Sequence, residues 1–340
     1  MTVSAAILNW NGGELAIRCL LSLTRQTCPV DQMILVDNGS TDGSRERLMR
    51  AVPDLHLVAN ESNQGFARAA NQAVAAATGD WLLLANLDVE FEPDYVARLV
   101  AAGESDPAIG SVTGKLLRAA TRANGGHVVD STGHVLYRNG WAMNQGEEEL
   151  DVGQWDEARE VFGVTGAAPL YRVRMLEDVV DGCGRPFDER FFAYIEDVDL
   201  DWRMRWLGWK ARYEPAVAWH HRSATGARRS AYILRHILKN RLLLVANNDL
   251  WPGGLARIPT VGFFTLLTAL QFALESPTAP LGIVDFVRLV PASISRRRFL
   301  RRRRRVPASD ITRWMEPFPY WTKIRRRVRS GGRRPVNRLS

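Results

Sequence analysis

Ile34-Leu35-Val36-Asp37-Asn38-Gly39-Ser40-Thr41-Asp42-Gly43 is an apolar run that stops on a carboxylate, turns through small polar residues and opens a helix-like segment, Gly43 to Arg50. The same order recurs on both sides of it. Val3 to Leu8 precedes Glu14 to Arg25, Leu55 to Val58 precedes Gly65 to Ala77, and Trp81 to Ala85 precedes Pro93 to Ala102. Strands alternating with helices predict an α/β fold, with a mostly parallel central sheet flanked by helices. Ligands of such sheets bind beyond the strands' carboxyl ends. The candidate loops are therefore Asn9 to Gly13, Asp37 to Gly43, Asn60 to Gly65 and Asn86-Leu87-Asp88.

Composition narrows the class. With 340 residues, 46% hydrophobic and 24% charged, the chain is long and apolar enough for one large domain plus an appendage. Its cysteines, Cys19, Cys28 and Cys183, are odd in number and lack metal-site spacing, which argues against a disulfide framework or a zinc ribbon. The net charge of +8 is unevenly spread: 17 of the 45 basic residues but only 2 of the 37 acids lie from Arg296 onward, so the preceding residues carry −7 and the remainder +15. No loop has the glycine spacing of a dinucleotide fingerprint. Gly110-Ser-Val-Thr-Gly114-Lys115-Leu116 is one residue short of a phosphate-binding P-loop and lacks its Ser or Thr. From about Gly125 to Gly153 the pattern weakens into short strands or an insertion, where no chemistry is expected.

Four clusters carry candidate chemistry. Asp37, ending a strand, suits a base imide or ribose hydroxyl, whereas Asp42 suits a helix cap. Asn86-Leu87-Asp88 offers oxygen ligands at a strand end for a hard divalent cation. Phe187 to Arg203 sets acids at 188, 189, 196, 197, 199 and 201 among Phe191, Phe192 and Tyr194. A cleft carboxylate there suits a general base, and Glu196-Asp197 fits that better than Asp199 or Asp201, which suit a solvated first turn. His220 and His221, before Arg222-Ser-Ala-Thr225, suit a metal and phosphate site, with the choice between them open.

Taken in order, Ile7-Leu-Asn-Trp-Asn-Gly12, Val36-Asp-Asn-Gly-Ser-Thr-Asp42, Asn63-Gln-Gly-Phe-Ala-Arg-Ala-Ala-Asn71, Asn86-Leu-Asp88, Gly166-Ala-Ala168, the acidic segment from Phe187 to Leu200, and Trp219-His-His221 resemble the family 2 inverting glycosyltransferases. The likeness is greatest to their bacterial rhamnosyltransferase-like branch and covers roughly residues 1 to 225. It implies a GT-A fold, a dTDP- or UDP-linked sugar donor, and Mg²⁺ or Mn²⁺. By position, Asn9, Trp10, Asp37, Gly65, Asn71 and Asn86 would form the nucleotide-sugar pocket, with Trp10 against the base. Asp88 and His220 would hold the metal. Asp197 would be the catalytic base, with Glu196 beside it. Many relatives carry D-x-D; Asn86 removes one negative charge from that pair, so weaker metal binding is expected. The branch points to L-rhamnose as the sugar.

The domains expected are a catalytic unit at 1–228 (nucleotide-sugar binding over 1–115, acceptor binding and catalysis over 116–228), a helical region at 229–295 and a basic tail at 296–340. The apolar run 261–274 would span about 21 Å as a helix, against roughly 30 Å for a bilayer core, and so lies in an interface or in the protein core. An apolar helix followed by clustered arginines fits an anionic membrane surface. This implies a polyprenyl-diphosphate-linked acceptor in cell-envelope polysaccharide synthesis. With no apolar leader at the start, the expected location is cytoplasmic, on the inner face of the plasma membrane. Two other classes compete. An arginine tail binds nucleic acid without sequence preference, but the acidic body argues against it. A sugar nucleotidyltransferase would want a Gly-rich, Lys- or Arg-bearing loop near the N-terminus, which is missing.

Overall fold

A computed structural model describes residues 1–120, 125–180, 182, 184–222, 230–249 and 253–319. Cys183, Ser223 to Thr225 and the basic residues from Lys323 onward lie outside them. The first half alternates as expected: β1 (Val3–Asn9), α1 (Gly13–Thr24), β2 (Gln32–Asp37), α2 (Ser44–Ala51), β3 (His56–Ala59), α3 (Phe66–Ala76), β4 (Trp81–Asn86), β5 (Val89–Phe91), α4 (Tyr95–Glu104) and β6 (Ile109–Arg118). Short strands follow, β7 (Val129–Ser131), β8 (His134–Tyr137), β9 (Ala142–Asn144), β10 (Arg159–Val161) and β11 (Leu170–Arg172), then α5 (Val173–Asp178), α6 (Glu196–Trp206) and β12 (Lys210–His220). The chain continues through α7 (Ala231–Asn248), α8 (Gly253–Glu275), α9 (Leu281–Arg303), α10 (Ala308–Thr312) and β13 (Met315–Glu316).

The main sheet runs β10-β12-β6-β11-β4-β1-β2-β3, with β5 on β12 and β7 on β6. β1 is parallel to both β2 and β4, and Asn9 sits opposite Asp37 while Leu8 sits opposite Asn86. The chain leaves β1 on one side and returns on the other through β4, which makes the carboxyl ends of these strands a switch point where ligands gather. Every residue of β1 is buried. Val3, Ala5 and Ile7 join the core under α1 and α4, and Ala6 and Leu8 join the one under α3 and α6. A strand covered on both faces has no polar face to show, so it reads as one apolar run.

The C-terminal elements depart from the expected boundaries. Position 296 falls inside α9, not at the start of a tail. Leu243, Leu244, Leu300, Ile311 and Met315 share a core with Trp202 and Trp206 of α6, and β13 pairs with β8. Arg303 and Arg305 both reach Asp178, at 3.1 and 2.7 Å. Some of the clustered arginines therefore neutralise acids of the body and do not form a separate basic tail. The run 261–274 also lies within a longer helix. Its Ala256–Glu275 portion has a mean hydropathy of 1.4, is 22% buried, and is long and apolar enough to cross a membrane by length and composition.

Candidate active site

The nucleotide-side loops are joined by one asparagine. Asn9 Nδ2 donates to Asp37 Oδ1 (2.8 Å), Ser40 Oγ (3.0 Å) and Ser44 Oγ (2.9 Å), and its Oδ1 accepts from Gly12 N–H. Asp37 Oδ2 accepts from Ser40 N–H, so a fully buried carboxylate is met by donors on both oxygens. Asn11 adopts φ 54° and accepts from Thr41 N–H at 2.8 Å, tying the first loop to the second. The turn leaves Trp10 53% exposed at the strand end, an indole with apolar surface uncovered. Asp42 accepts from Ser44 N–H and Gly13 N–H, both at 3.0 Å; the N-cap of α2 is Gly43, and Asp42 meets the helix's first amide from the position before it.

Gly65, at φ 85°, opens α3, and a Cβ there would lie 2.6 Å from Phe192. The glycine thus lets the loop after β3 close onto the acidic segment. Asn71 differs from the expected pocket role. Its amide donates to Phe187 O (2.9 Å) and Glu189, and accepts from Phe187 N–H, so it anchors that segment and has no N–H left for a nucleotide.

Asp88 is buried in the turn after β4, and His220 Nε2 lies 3.4 Å from its Oδ1. His220 Nδ1 is 2.7 Å from Asp130 Oδ2, a partner on β7 that fixes the ring's orientation. His221 instead faces Glu90, at 3.5 Å. Burial disfavours a charged His220 ring, but its bonds to Asp130 and Asp88 outweigh this and raise it to about 9. Among the described residues no three His, Cys, Asp or Glu side chains converge to hold an ion. With Nδ1 held on Asp130, the ring could join the Asp88 carboxylate as a two-point anchor for a divalent ion only by giving up its Nε2 proton to free that lone pair, leaving the ion's other positions to phosphate oxygens and water. Asn86 is held at the strand end by its main chain: its N–H donates to Ala167 O at 2.8 Å and its carbonyl accepts from Cys19.

The acidic segment is strained where it enters α6. Phe192, Tyr194 and Ile195 have φ of 65°, 72° and 72°, values that bulky residues avoid. Asn240 of α7 holds the turn by donating to the carbonyls of Phe191 (3.0 Å), Ala193 (2.8 Å) and Tyr194 (2.8 Å). Glu196 is buried, and burial followed by the neighbouring Asp197 charge holds its carboxyl well above the usual range. Asp197 accepts from Gly166 N–H at 2.7 Å and from Val198 N–H at 2.8 Å. Through Gly166 and Ala167 it is one backbone hydrogen bond from Asn86 and the Asp88 turn.

One turn further along α6, Asp201 is fully buried, accepts from Val164 N–H and lies 2.8 Å from His134 Nδ1. His134 Nε2 lies 3.4 Å from Asp197 Oδ2. Asp201 and Asp197 press against Gly163 and Gly166, where a Cβ would overlap the first carboxylate and come within 2.9 Å of the second. Burial pushes Asp201 up to about 6, with the His134 bond pulling the other way. Burial works against a charged His134 as well, but the charges of Asp197 and Asp201 overcome it and raise the ring.

Asp130 and His134 both come from the region where no chemistry was expected. The structure forms β7 and β8 there and inserts one residue of each beside a site residue. Alternation within three- and four-residue strands is too short to stand out, so their only signal was an acid and a histidine close together in weakly patterned sequence. Asp201, expected in a solvated first turn, is fully buried because it faces the Gly163 loop.

A sheet parallel through β3-β2-β1-β4 and continued by antiparallel strands, with ligand loops after β1, β2 and β4 and a carboxylate-bearing helix facing it, has the GT-A fold. Two solved structures share it. S. aureus TarS 1-349 in complex with UDP-GlcNAc has a TM-score of 0.54 at 18% identity, covering 97% of this chain and 92% of that one. GalNAc-T7 with UDP, GalNAc and Mn²⁺ has a TM-score of 0.56 at 15% identity, covering 73% of this chain and 48% of that one. In sequence, the N-acetylglucosaminyl-diphospho-decaprenol L-rhamnosyltransferase of Mycobacterium tuberculosis is 29% identical over 259 residues, 69% of this chain and 81% of its own length. Residues 4–150 match the model for Glycosyl transferase family 2. Over those residues the chain is similar to that family, and the class of protein these likenesses support is a glycosyltransferase.

Proposed function

We propose that this glycosyltransferase moves L-rhamnose from dTDP-rhamnose to a hydroxyl of a polyprenyl-diphosphate-linked saccharide, inverting the anomeric carbon. The mycobacterial relative, named for rhamnosyl transfer to a decaprenol-linked sugar, supports that donor and acceptor. UDP-linked sugars are the competing donor class. The observation that carries the reaction is the chain of contacts from Asp197 through Gly166-Ala167 to Asn86 and Asp88. It joins a candidate base to a candidate phosphate-end anchor through the main chain.

Trp10 stacks on the base, and the Asn9–Asp37 pair shapes the loop beneath it. Asp88 and His220 would hold Mg²⁺ or Mn²⁺, which when bound neutralises charge on the departing diphosphate. Asp197 takes the proton of the acceptor hydroxyl as its oxygen bonds to the anomeric carbon and the bond to the diphosphate oxygen breaks. Gly166 N–H keeps the Asp197 carboxylate aimed. Burial and the neighbouring Asp197 charge raise the Glu196 carboxyl, which disfavours a second negative charge at that position.

The acceptor's lipid calls for a membrane face. Phe263, Leu266, Leu267, Leu270 and Leu274 of α8 are exposed, and Arg298, Arg301 and Arg302 are exposed on α9. Exposed apolar side chains on one helix and exposed basic ones on the next suit the surface of an anionic bilayer. The decisive assay combines the full chain with dTDP-rhamnose or a UDP-sugar, Mn²⁺ and a polyprenyl-diphosphate N-acetylglucosamine, and follows product mass. Rhamnosyl product with release of dTDP is the expected result. Pyrophosphate release would indicate a nucleotidyltransferase, and sedimentation with RNA but not with phosphatidylglycerol vesicles would overturn the membrane reading.

A further inference from the structure

His134 joins two carboxylates that would otherwise repel each other. Asp197 and Asp201 are one turn apart on the same face of α6, where like charges destabilise a helix. The ring stands between them, with Nδ1 2.8 Å from Asp201 and Nε2 3.4 Å from Asp197, and it is 5% exposed. Its own backbone is fixed, because His134 N–H donates to the Gly163 carbonyl at 2.9 Å, the residue against which Asp201 packs. A neutral imidazole has one N–H and serves one carboxylate; the imidazolium has two and serves both. The other ionisable groups under the influence of these carboxylates are Glu196, the Tyr171 phenol and Arg205. Arg205 is bound to Glu160 and to the carbonyls of Val161 and Phe162, so it does not take the ring's place.

We propose that His134 is a positioning residue, an imidazolium clamped by Asp201 that donates to Asp197 and holds it as an oriented anion ready to receive the acceptor's proton. The inference rests on Asp197 being the base. Asp201 then works at one remove, keeping the ring charged and turned.

Two measurements test it. In ¹⁵N-histidine-labelled full-length protein, the His134 ring should be protonated on both nitrogens at about pH 7.5, where an ordinary histidine is neutral. A singly protonated ring there overturns the proposal, and no variant has to fold for that result. In kinetics, His134→Gln should move the acid limb of the kcat/KM profile to higher pH, with about a tenfold loss near pH 6 that shrinks above pH 8. Asp201→Asn should move it the same way. A loss equal at every pH in both variants would mean a merely structural role. If Asp197→Asn keeps full transfer, the base assignment fails instead, and the ring's protonation state is still read on its own.

Discussion

Arg296 and Asp188 form a buried ion pair, Nη1 to Oδ2 at 3.0 Å, between a C-terminal helix and the start of the acidic segment. The other end of the same guanidinium lies 3.4 Å from Asp199, which Arg203 also meets at 2.9 Å. Asp188 and Asp199 flank Glu196-Asp197 in sequence, so α9 holds both sides of the turn that carries the candidate base.

Removing that arginine leaves two buried carboxylates short of a partner. Arg296→Met should cost on the order of 3–5 kcal/mol, the usual penalty for breaking a buried pair, measured by denaturant unfolding. Burial alone would raise Asp188, but the charges of Arg296 and Arg190 hold it below the usual carboxylate range. A depressed folded value means stability that is present above about pH 4 and lost as pH falls through the lowered folded value. The wild type should therefore lose stability in that acid window more steeply than Arg296→Met.

Asn240→Ala removes the side chain that caps three carbonyls of a turn containing three residues at positive φ. Transfer should fall at least about tenfold while global stability drops only about 1–3 kcal/mol. A variant with unchanged kcat would show that the turn keeps its shape without the amide.

The two loop glycines should separate folding from activity. Gly163→Ala would overlap the Asp201 carboxylate in the core, so a large fall in melting temperature or in soluble yield is expected. Gly166→Ala meets Asp197 at 2.9 Å beside the cleft, and should fold but transfer sugar poorly. Thermal unfolding and product formation, measured on both, check the order.

Trp10→Ala touches little of the core, since the side chain is half exposed. Donor nucleotide affinity should fall by about 1–3 kcal/mol, as stacking losses do, with no change in melting temperature of the free protein. Calorimetry with dTDP and UDP reads the first and a thermal scan the second. A melting temperature that falls while nucleotide affinity stays constant would make Trp10 structural.

The β-strand and helix alternation through residue 102 was legible because each strand of the switch region is covered on both faces and therefore apolar throughout. Asn9, Trp10, Asp37, Asp88, Asp197 and His220 stood out as candidates for a related reason: each lies at or just beyond a strand end, or opens a helix, at the sheet's ligand edge, and polarity at such a place is conspicuous. Asn71 followed the same logic, and its side chain bonds Phe187 and Glu189, since a helix residue beyond the first turn is equally free to anchor a neighbouring loop.

What the sequence determined by itself is the parallel sheet, the position of its ligand loops and the presence of an acid-rich helix start, all properties of segments a few residues long. Only the tertiary structure decided that the His220 ring, and not the His221 ring, meets the Asp88 carboxylate, that His134 and Asp130 lie beside the candidate site residues, and that Arg296 belongs to the core. Those pairings join residues 67 to 132 positions apart. They arise from how buried charges are matched once the elements have packed, and local periodicity carries no record of which distant charge will answer another.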